Sequence, residues 1–221
     1  MALEVLSAEF VKTGTRRAEW PAEPAPEVAF VGRSNVGKSS MLNALARRDG
    51  LARVSSTPGR TQALQFFRIA WRPSPAARPR VLRFCDLPGY GFAKAPRAER
   101  DRWGAMIEEY LRERADLRTV VLIVDARHEA QASDQEALNF LSAQGRPVLV
   151  AATKMDKLAK SHRRASALAL ARGLGVAPED VVPFSAVEGT GTDALWARIA
   201  TIVRPPKGEA PSSEDGGEGE A

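Results

Sequence analysis

The residues "GRSNVGKS", Gly32 to Ser39, follow the apolar run "EVAFV" and lead into "SMLNALARR", whose apolar residues recur at helical spacing. Glycine, glycine, lysine and a hydroxyl at G-x-x-x-x-G-K-[ST] spacing, set where a strand hands over to a helix, point to one kind of structure, a phosphate-cradling loop. Glycine lets the backbone turn tightly enough for successive N–H groups to face an anion, and the helix adds the positive end of its dipole. Gly32, Arg33, Ser34, Asn35, Val36, Gly37, Lys38 and Ser39 are therefore candidate phosphate-binding residues. Lys38 is expected to reach the β- and γ-phosphates as a catalytic residue, and the Ser39 hydroxyl to ligate Mg²⁺. The competing reading, a merely structural glycine turn, accounts for neither the lysine nor the hydroxyl.

Apolar strand-like runs alternate with helical patterns along the chain, which predicts an α/β fold with a mostly parallel central sheet and helices on both faces. "EVAFVG", "ALQFFRIAW", "RVLRFCDLP", "RTVVLIVDAR", "RPVLVAATKMD" and "VVPFSA" read as strands. "RAERDRWGAMIEEYLRER", "SDQEALNFLSAQ" and "DALWARIATIV" read as helices, the second with a capping box from Ser133 to Glu136. About six core strands and five helices are expected. "RPSPAARP" is read as a hairpin tip, and "AEFVKTG" as an added edge strand. The expected division is an N-terminal extension over 1–25, one nucleotide-binding domain over 26–204, and an acidic disordered tail over 205–221.

In such a sheet, ligands sit beyond the carboxyl ends of the strands. "CDLPG" places Asp86, Leu87, Pro88 and Gly89 there: an acid that can hold Mg²⁺ through water and a glycine N–H that can bond a γ-phosphate. "TKMD" places Thr153, Lys154, Met155 and Asp156 after another apolar run. A carboxylate at Asp156 can accept from guanine N1–H and its exocyclic amine, a donor pair that adenine lacks. The Lys154 stem would lie along the base. In "FSA", Phe184, Ser185 and Ala186 end the next strand, where a backbone N–H could reach guanine O6. "TPGRTQ" falls between the first helix and the second strand, where GTPases carry a loop that orders on the γ-phosphate and Mg²⁺.

These stretches stand in the order of a Ras-like P-loop GTPase. Their wording, "GRSNVGKSS", "TPGRTQ", "DLPGYG", "DARH" and "TKMDKL", resembles the EngB (YsxC/YihA) family of bacterial ribosome-biogenesis GTP-binding proteins, from about Ala8 to Ala200. The resemblance implies GTP/GDP and Mg²⁺ as cofactors and slow GTP hydrolysis. It implies a nucleotide-gated role in assembling the large ribosomal subunit, with rRNA and ribosomal proteins as partners, and a need for the protein in cell division and septation. It extends the nucleotide site to Gly59, Arg60, Thr61, Gln62 and Ala63, and chooses Thr61 over Thr57 as the second metal ligand beside Ser39. Ras-type enzymes orient the water with a glutamine just after D-x-x-G; Tyr90 stands there and cannot take the amide's role, so slow intrinsic turnover is expected. Related GTPases with asparagine at the position of Asn35 use it to help bind K⁺. Asn35 is thus read either as a catalytic K⁺ ligand or as a residue that holds the loop.

The charge distribution gives the partner argument. The chain carries a net +5, but its last 17 residues hold one lysine and five acids, leaving residues 1–204 at a net +9. A basic body suits an anionic partner such as nucleic acid. Lys154, Lys157, Lys160, Arg163 and Arg164 form one cluster, and Arg97, Arg100 and Arg102 another. Each is read either as a solvated helix face or as an rRNA phosphate contact. Cys85, the single cysteine, excludes an intrachain disulfide. With neither a signal-like start nor a membrane-length apolar run, the expected setting is the cytoplasm, with a monomer and no membrane partner. His128 and His162 lack partners for a metal site, and Trp103, Tyr110 and Trp196 are expected in the core. Two rival classes are a metabolic phosphoryl-transfer enzyme, which would prefer ATP, and a nucleotide-independent RNA-binding protein with a degenerate loop. The first leaves "TKMD" unexplained; intact Lys38, Ser39, Asp86 and Asp156 argue against the second.

Overall fold

A computed structural model describes residues 3–52, 63–90 and 97–204, with the backbone alone for 97–103. The strands are β1 (Glu4–Gly14), β2 (Glu27–Gly32), β3 (Leu64–Arg72), β4 (Arg80–Asp86), β5 (Leu117–Asp125), β6 (Val148–Thr153) and β7 (Val181–Pro183). The α-helices are α1 (Lys38–Ala46), α2 (Arg97–Glu113), α3 (Ala132–Ser142), α4 (Lys160–Leu174) and α5 (Thr192–Ile202). All seven strands form one sheet in the order β1-β3-β4-β2-β5-β6-β7. The pairs β4–β2, β2–β5, β5–β6 and β6–β7 are parallel, whereas β1–β3 and β3–β4 are antiparallel.

The central strand explains the layers. Every residue of β2 is buried, as expected for a parallel strand covered on both faces. Its side chains alternate between two cores. Val28 and Phe30 pack with Met41, Leu42 and Leu45 of α1 and Leu195, Trp196 and Ile199 of α5. Ala29 and Val31 pack with Tyr110 and Leu111 of α2, Leu138 of α3 and Leu170 of α4. Trp71, Phe84 and Trp196 are fully buried, and Trp196 packs against each of the other two with tilted rings and centroids 5.6 Å apart; each contributes roughly 1.5–3 kcal/mol by burial. Cys85 is buried, and burial foremost raises its thiol well above the ordinary range.

The edge strand β1 extends further toward the N-terminus than "AEFVKTG". The extension pairs Glu4 with Arg72, an ion pair of 2.6 Å, and within the expected strand Glu9 faces Arg68 at 3.4 Å. From β1 the chain crosses the α2 face, where Trp20 meets Tyr110 edge-on at 5.4 Å. It then enters β2 through Glu27, whose carboxylate is fully buried and accepts from Arg83 (2.7 Å), Tyr110 (2.9 Å) and Arg114 (2.5 and 2.9 Å). This cluster ties β2, β4 and the end of α2 together at the end of the sheet opposite the phosphate loop.

One capping expectation needs correction. The capping of α3 does not run from Ser133 to Glu136. The helix starts one residue earlier, and the Asp134 carboxylate reaches back to the Gln131 N–H at 3.0 Å. Asp134 is buried and its other oxygen is held elsewhere, so the site for a capping acid is already filled. Helix α4 had no bounds drawn from sequence; it closes on Gly175 in the left-handed conformation, φ 71°. Among the described residues, no helix is long and apolar enough to cross a membrane.

Candidate functional site

The carboxyl ends of β2, β4, β5 and β6 lie side by side, with Phe30 opposite Asp86, Gly32 opposite Ile123, and Asp125 opposite Thr153. The loop after β2 is shaped by steric necessity. A Cβ on Gly32 would lie 2.8 Å from both the Ile123 carbonyl and Val36 Cγ1, so the strand end admits only glycine. Gly37, the N-cap of α1, has φ 103°, and Asn35 has φ 62°, which asparagine tolerates better than most residues. The turn therefore opens into α1 with Lys38 and Ser39 in its first turn.

The loop is held from the next strands. Thr153 Oγ1 lies 2.7 Å from the Val36 carbonyl and 3.0 Å from that of Val124, so its hydroxyl proton serves one or the other. Lys154, itself at φ 62°, donates from Nζ to the Asn35 carbonyl at 2.6 Å and to Asp125 Oδ2 at 2.8 Å. Arg127 grips the same carboxylate at 2.8 and 3.0 Å. Burial works against the Asp125 charge, but the hydrogen bonds from Arg127 and Lys154 prevail and hold the carboxyl well below the usual range. Asp125 and Arg127 belong to "DARH", which had been given no site role. Their signal was position, since a carboxylate at a parallel strand's C-terminal end faces the ligand crevice.

Lys38 Nζ forms an ion pair with Asp86 Oδ1. Asp86 is 2% exposed, and burial raises its carboxyl, with the Lys38 charge offsetting only part. Beyond Asp86, Leu87 donates its N–H to the Phe30 carbonyl (3.0 Å) and Tyr90 to that of Gly32 (3.2 Å). Tyr90 does not turn toward the loop's phosphate face; its hydroxyl donates to Asp134 Oδ1 at 2.9 Å. A cavity of about 210 Å³ lies between the loop and α3, lined among others by Arg33, Asn35, Asp125, Gln131 and Asp134.

At the far side of Lys154, Ser185 Oγ donates to Asp156 Oδ1 at 2.8 Å and accepts the Glu188 N–H at 3.1 Å. The Met155 N–H bonds the Phe184 carbonyl at 3.2 Å, so the two loops are fastened together. Burial opposes the Asp156 charge; the Ser185 hydroxyl, a backbone N–H and Lys157 outweigh it and hold the carboxyl below its ordinary value. The Ser185 N–H is already taken by the Thr190 carbonyl at 2.9 Å, which leaves Ala186 to supply the backbone donor expected in this loop.

The structure thus gathers Gly32 to Ser39, Asp86 to Gly89, Thr153 to Asp156 and Phe184 to Ala186 along one edge of the sheet. Ala63 stands just before β3, half-buried. Gly59, Arg60, Thr61 and Gln62 lie outside the described residues, as do the tail and the side chains of Arg97, Arg100, Arg102 and Trp103. Ser39 and Asp86 offer hydroxyl and carboxylate oxygens, the hard donors that suit Mg²⁺. The basic cluster of 154–164 is largely committed internally: Arg163 makes a bidentate pair with Glu188 (2.6 and 2.8 Å), Lys154 braces the loop, and Lys157 lies 3.5 Å from Asp156.

Comparison with known proteins agrees with this arrangement. The family described as "50S ribosome-binding GTPase" matches residues 27–154. The chain is 67% identical over 203 residues to the probable GTP-binding protein EngB of Anaeromyxobacter sp. (strain K), covering 92% of this chain and 94% of that one. To the protein of the same name from Geobacter metallireducens it is 48% identical over 211 residues, covering 96% and 99%. A crystal structure of a probable GTP-binding protein engB superposes with a TM-score of 0.60 at 26% identity, over 80% of this chain and 98% of the other. Era, solved with MgGDPNP and nucleotides of 16S ribosomal RNA, shares the fold at a TM-score of 0.63 and 23% identity, over 86% of this chain and 60% of that one. With a phosphate loop, an acid-bearing strand end and a braced TKMD loop on a Ras-like sheet, the chain belongs to the EngB family of P-loop GTP-binding proteins.

Proposed function

We propose that the chain is a slow GTPase whose nucleotide state gates its association with the large ribosomal subunit during assembly, and that normal cell division and septation depend on it. The observation that carries the guanine reading is the Ser185–Asp156 bond beside Lys154, which itself reaches back to the phosphate loop. Ser185 orients Oδ1 of Asp156, and the base would meet the carboxylate in competition with Lys157, 3.5 Å from Oδ2. The loop's backbone N–H groups from Ser34 to Ser39 and the Lys38 ammonium would neutralise the phosphates. Ser39, with Thr61 as second ligand and Asp86 through water, would hold Mg²⁺, which when bound supplies charge neutralisation between the β- and γ-phosphates. Gly59 to Ala63 are included in the nucleotide site on the family resemblance alone. Slow turnover is supported by Tyr90, whose hydroxyl is committed to Asp134 and is not free to orient a water. The Asn35 carbonyl is held by Lys154 while the residue stays exposed, and its side-chain oxygen is proposed as a K⁺ ligand. Partner choice is supported by the family description of 50S ribosome binding and by the net +9 of residues 1–204. We place the protein in the cytoplasm as a monomer.

The test is co-sedimentation of the purified protein with large ribosomal subunits at fixed salt. Stronger pelleting with a non-hydrolysable GTP analogue than with GDP is expected. Equal or absent pelleting in both states would overturn the ribosomal part of the reading, and tighter binding of ATP than of GTP would overturn the guanine part.

A further inference from the structure

The two oxygens of Asp134 have separate tasks. Oδ2 accepts the Gln131 N–H and caps α3, whereas Oδ1 accepts the Tyr90 hydroxyl at 2.9 Å. Capping therefore does not need Tyr90, and the hydroxyl bond calls for another explanation. Tyr90 directly follows Gly89, and the segment between Asp86 and Tyr90 is docked on the end of β2 and on the start of the phosphate loop. The Leu87 N–H bonds the Phe30 carbonyl, the Tyr90 N–H bonds the Gly32 carbonyl, and Arg33 and Tyr90 form a parallel bridge. The fit is close enough that a Cβ on Gly89 would lie 2.9 Å from the Gly32 carbonyl oxygen and 3.4 Å from the Ser34 nitrogen. Backbone bonds alone fix where the segment runs; the side-chain bond to a carboxylate 4% exposed fixes where it stops. A hydroxyl-to-carboxylate bond is charge-assisted and about twice as strong as a neutral one. Burial, then the neighbouring Asp134 charge, raises the phenol well above its usual range, so it remains a donor at any working pH.

We propose that Tyr90 is a positioning residue: through its bond to Asp134 it holds Gly89 against the phosphate loop, so that the segment is pre-set for the terminal phosphate of GTP. The proposal rests on the guanine-nucleotide reading above. It makes the Tyr90–Asp134 bond a device for telling GTP from GDP, in a chain that has tyrosine where Ras-type enzymes place glutamine. GDP has no terminal phosphate at this point, so its affinity is independent of the bond. Preorganisation is what the bond supplies, and its loss is felt only by the ligand that uses the organised segment.

The test is the ratio of affinities for a non-hydrolysable GTP analogue and GDP, measured with Mg²⁺ on the full chain. Tyr90→Phe keeps the ring and removes one hydroxyl. It is expected to weaken the analogue about fivefold, the scale of one lost hydrogen bond, with GDP affinity held within about twofold and single-turnover hydrolysis falling in step. In an Asp134→Ala background, Tyr90→Phe should change the ratio no further, because the acceptor is already gone. Should Asp134→Ala fail to fold, the single Tyr90→Phe ratio decides. A ratio within about twofold of wild type, or tighter analogue binding, overturns the positioning role while leaving the GTPase reading intact. A wild-type protein that binds neither nucleotide overturns that reading itself.

Discussion

The Ser185 hydroxyl donates to Asp156 Oδ1 across 2.8 Å, joining the loops after β6 and β7 at the point where a base would be read. This bond fixes the carboxylate's rotation, and on the proposed reading the carboxylate accepts from guanine. Asp156→Asn replaces an acceptor by a donor facing the guanine amine and N1–H. GTP affinity is expected to fall on the order of a hundredfold or more, because two charge-assisted bonds are lost. Xanthine nucleotides, which carry a carbonyl where guanine has its amine, should gain. Titration with both nucleotides by calorimetry checks this; unchanged GTP affinity would remove Asp156 from the base site. Ser185→Ala should show a milder loss for GTP and no gain for xanthine.

The sheet and the phosphate loop could be read from sequence because their causes are local. "EVAFVG" is buried on both faces and is followed directly by the glycines and lysine that the turn requires, so strand, turn and helix appear in one window. Asp156 was visible for the same reason, at the end of an apolar run. What the chain did not disclose are links between residues far apart in sequence: Lys154 to Asn35, Tyr90 to Asp134, Arg163 to Glu188. No period or spacing encodes such pairs, since the tertiary fold alone brings them together. The same holds for α3. "SDQE" supplies a plausible box at Ser133 and Glu136, but a buried acid two residues before Glu136 won, because it could serve Gln131 and Tyr90 at once.

Glu27 sits at the foot of β2 with no exposure, facing two guanidinium groups whose side chains are 5% and 12% exposed. Asp116 also pairs with both, at 3.3 Å from Arg114 and 3.6 Å from Arg83, but makes no hydrogen bond of the kind Glu27 accepts and offsets only part of its loss. Glu27→Ala would leave both cations buried beside an empty space. The expected loss is about 3–5 kcal/mol in unfolding free energy, with the guanine site untouched where the protein remains folded. Urea unfolding of Glu27→Ala against wild type measures it. A loss under about 1 kcal/mol would show that water replaces the carboxylate and that the cluster is not what anchors α2.

Asn35 combines a left-handed backbone with an exposed side chain, and its carbonyl is engaged by Lys154 at 2.6 Å. On the proposed K⁺ role, the backbone holds the loop and the side-chain oxygen is the ligand. Hydrolysis is expected to run faster in K⁺ than in Na⁺ at equal ionic strength, and Asn35→Gly, which keeps the left-handed backbone, should abolish the difference while GDP binding is retained. Equal rates in the two salts would assign Asn35 to loop geometry alone.

Asp125 gives a prediction in pH. Its carboxyl is held well below the ordinary value by Arg127 and Lys154, against the opposing effect of burial. A group whose folded-state pKa is depressed stabilises the fold above its unfolded value and loses that contribution as pH falls through the folded value. The Asp125 contribution should therefore be complete at neutral pH, begin to fade near pH 4, where a free aspartate takes up its proton, and be nearly gone only in stronger acid. Asp125→Asn removes it at every pH. The variant is expected to be less stable than wild type by about 1–3 kcal/mol at pH 7, and the gap between the two should close on acidification below about pH 4. Because Lys154 carries both Asp125 and the Asn35 carbonyl, the same substitution should also loosen the phosphate loop and weaken GDP binding at pH 7. Unfolding curves of the two proteins across this pH range separate the outcomes. A gap that stays constant down to strong acid would mean that Asp125 contributes through shape and not through its charge.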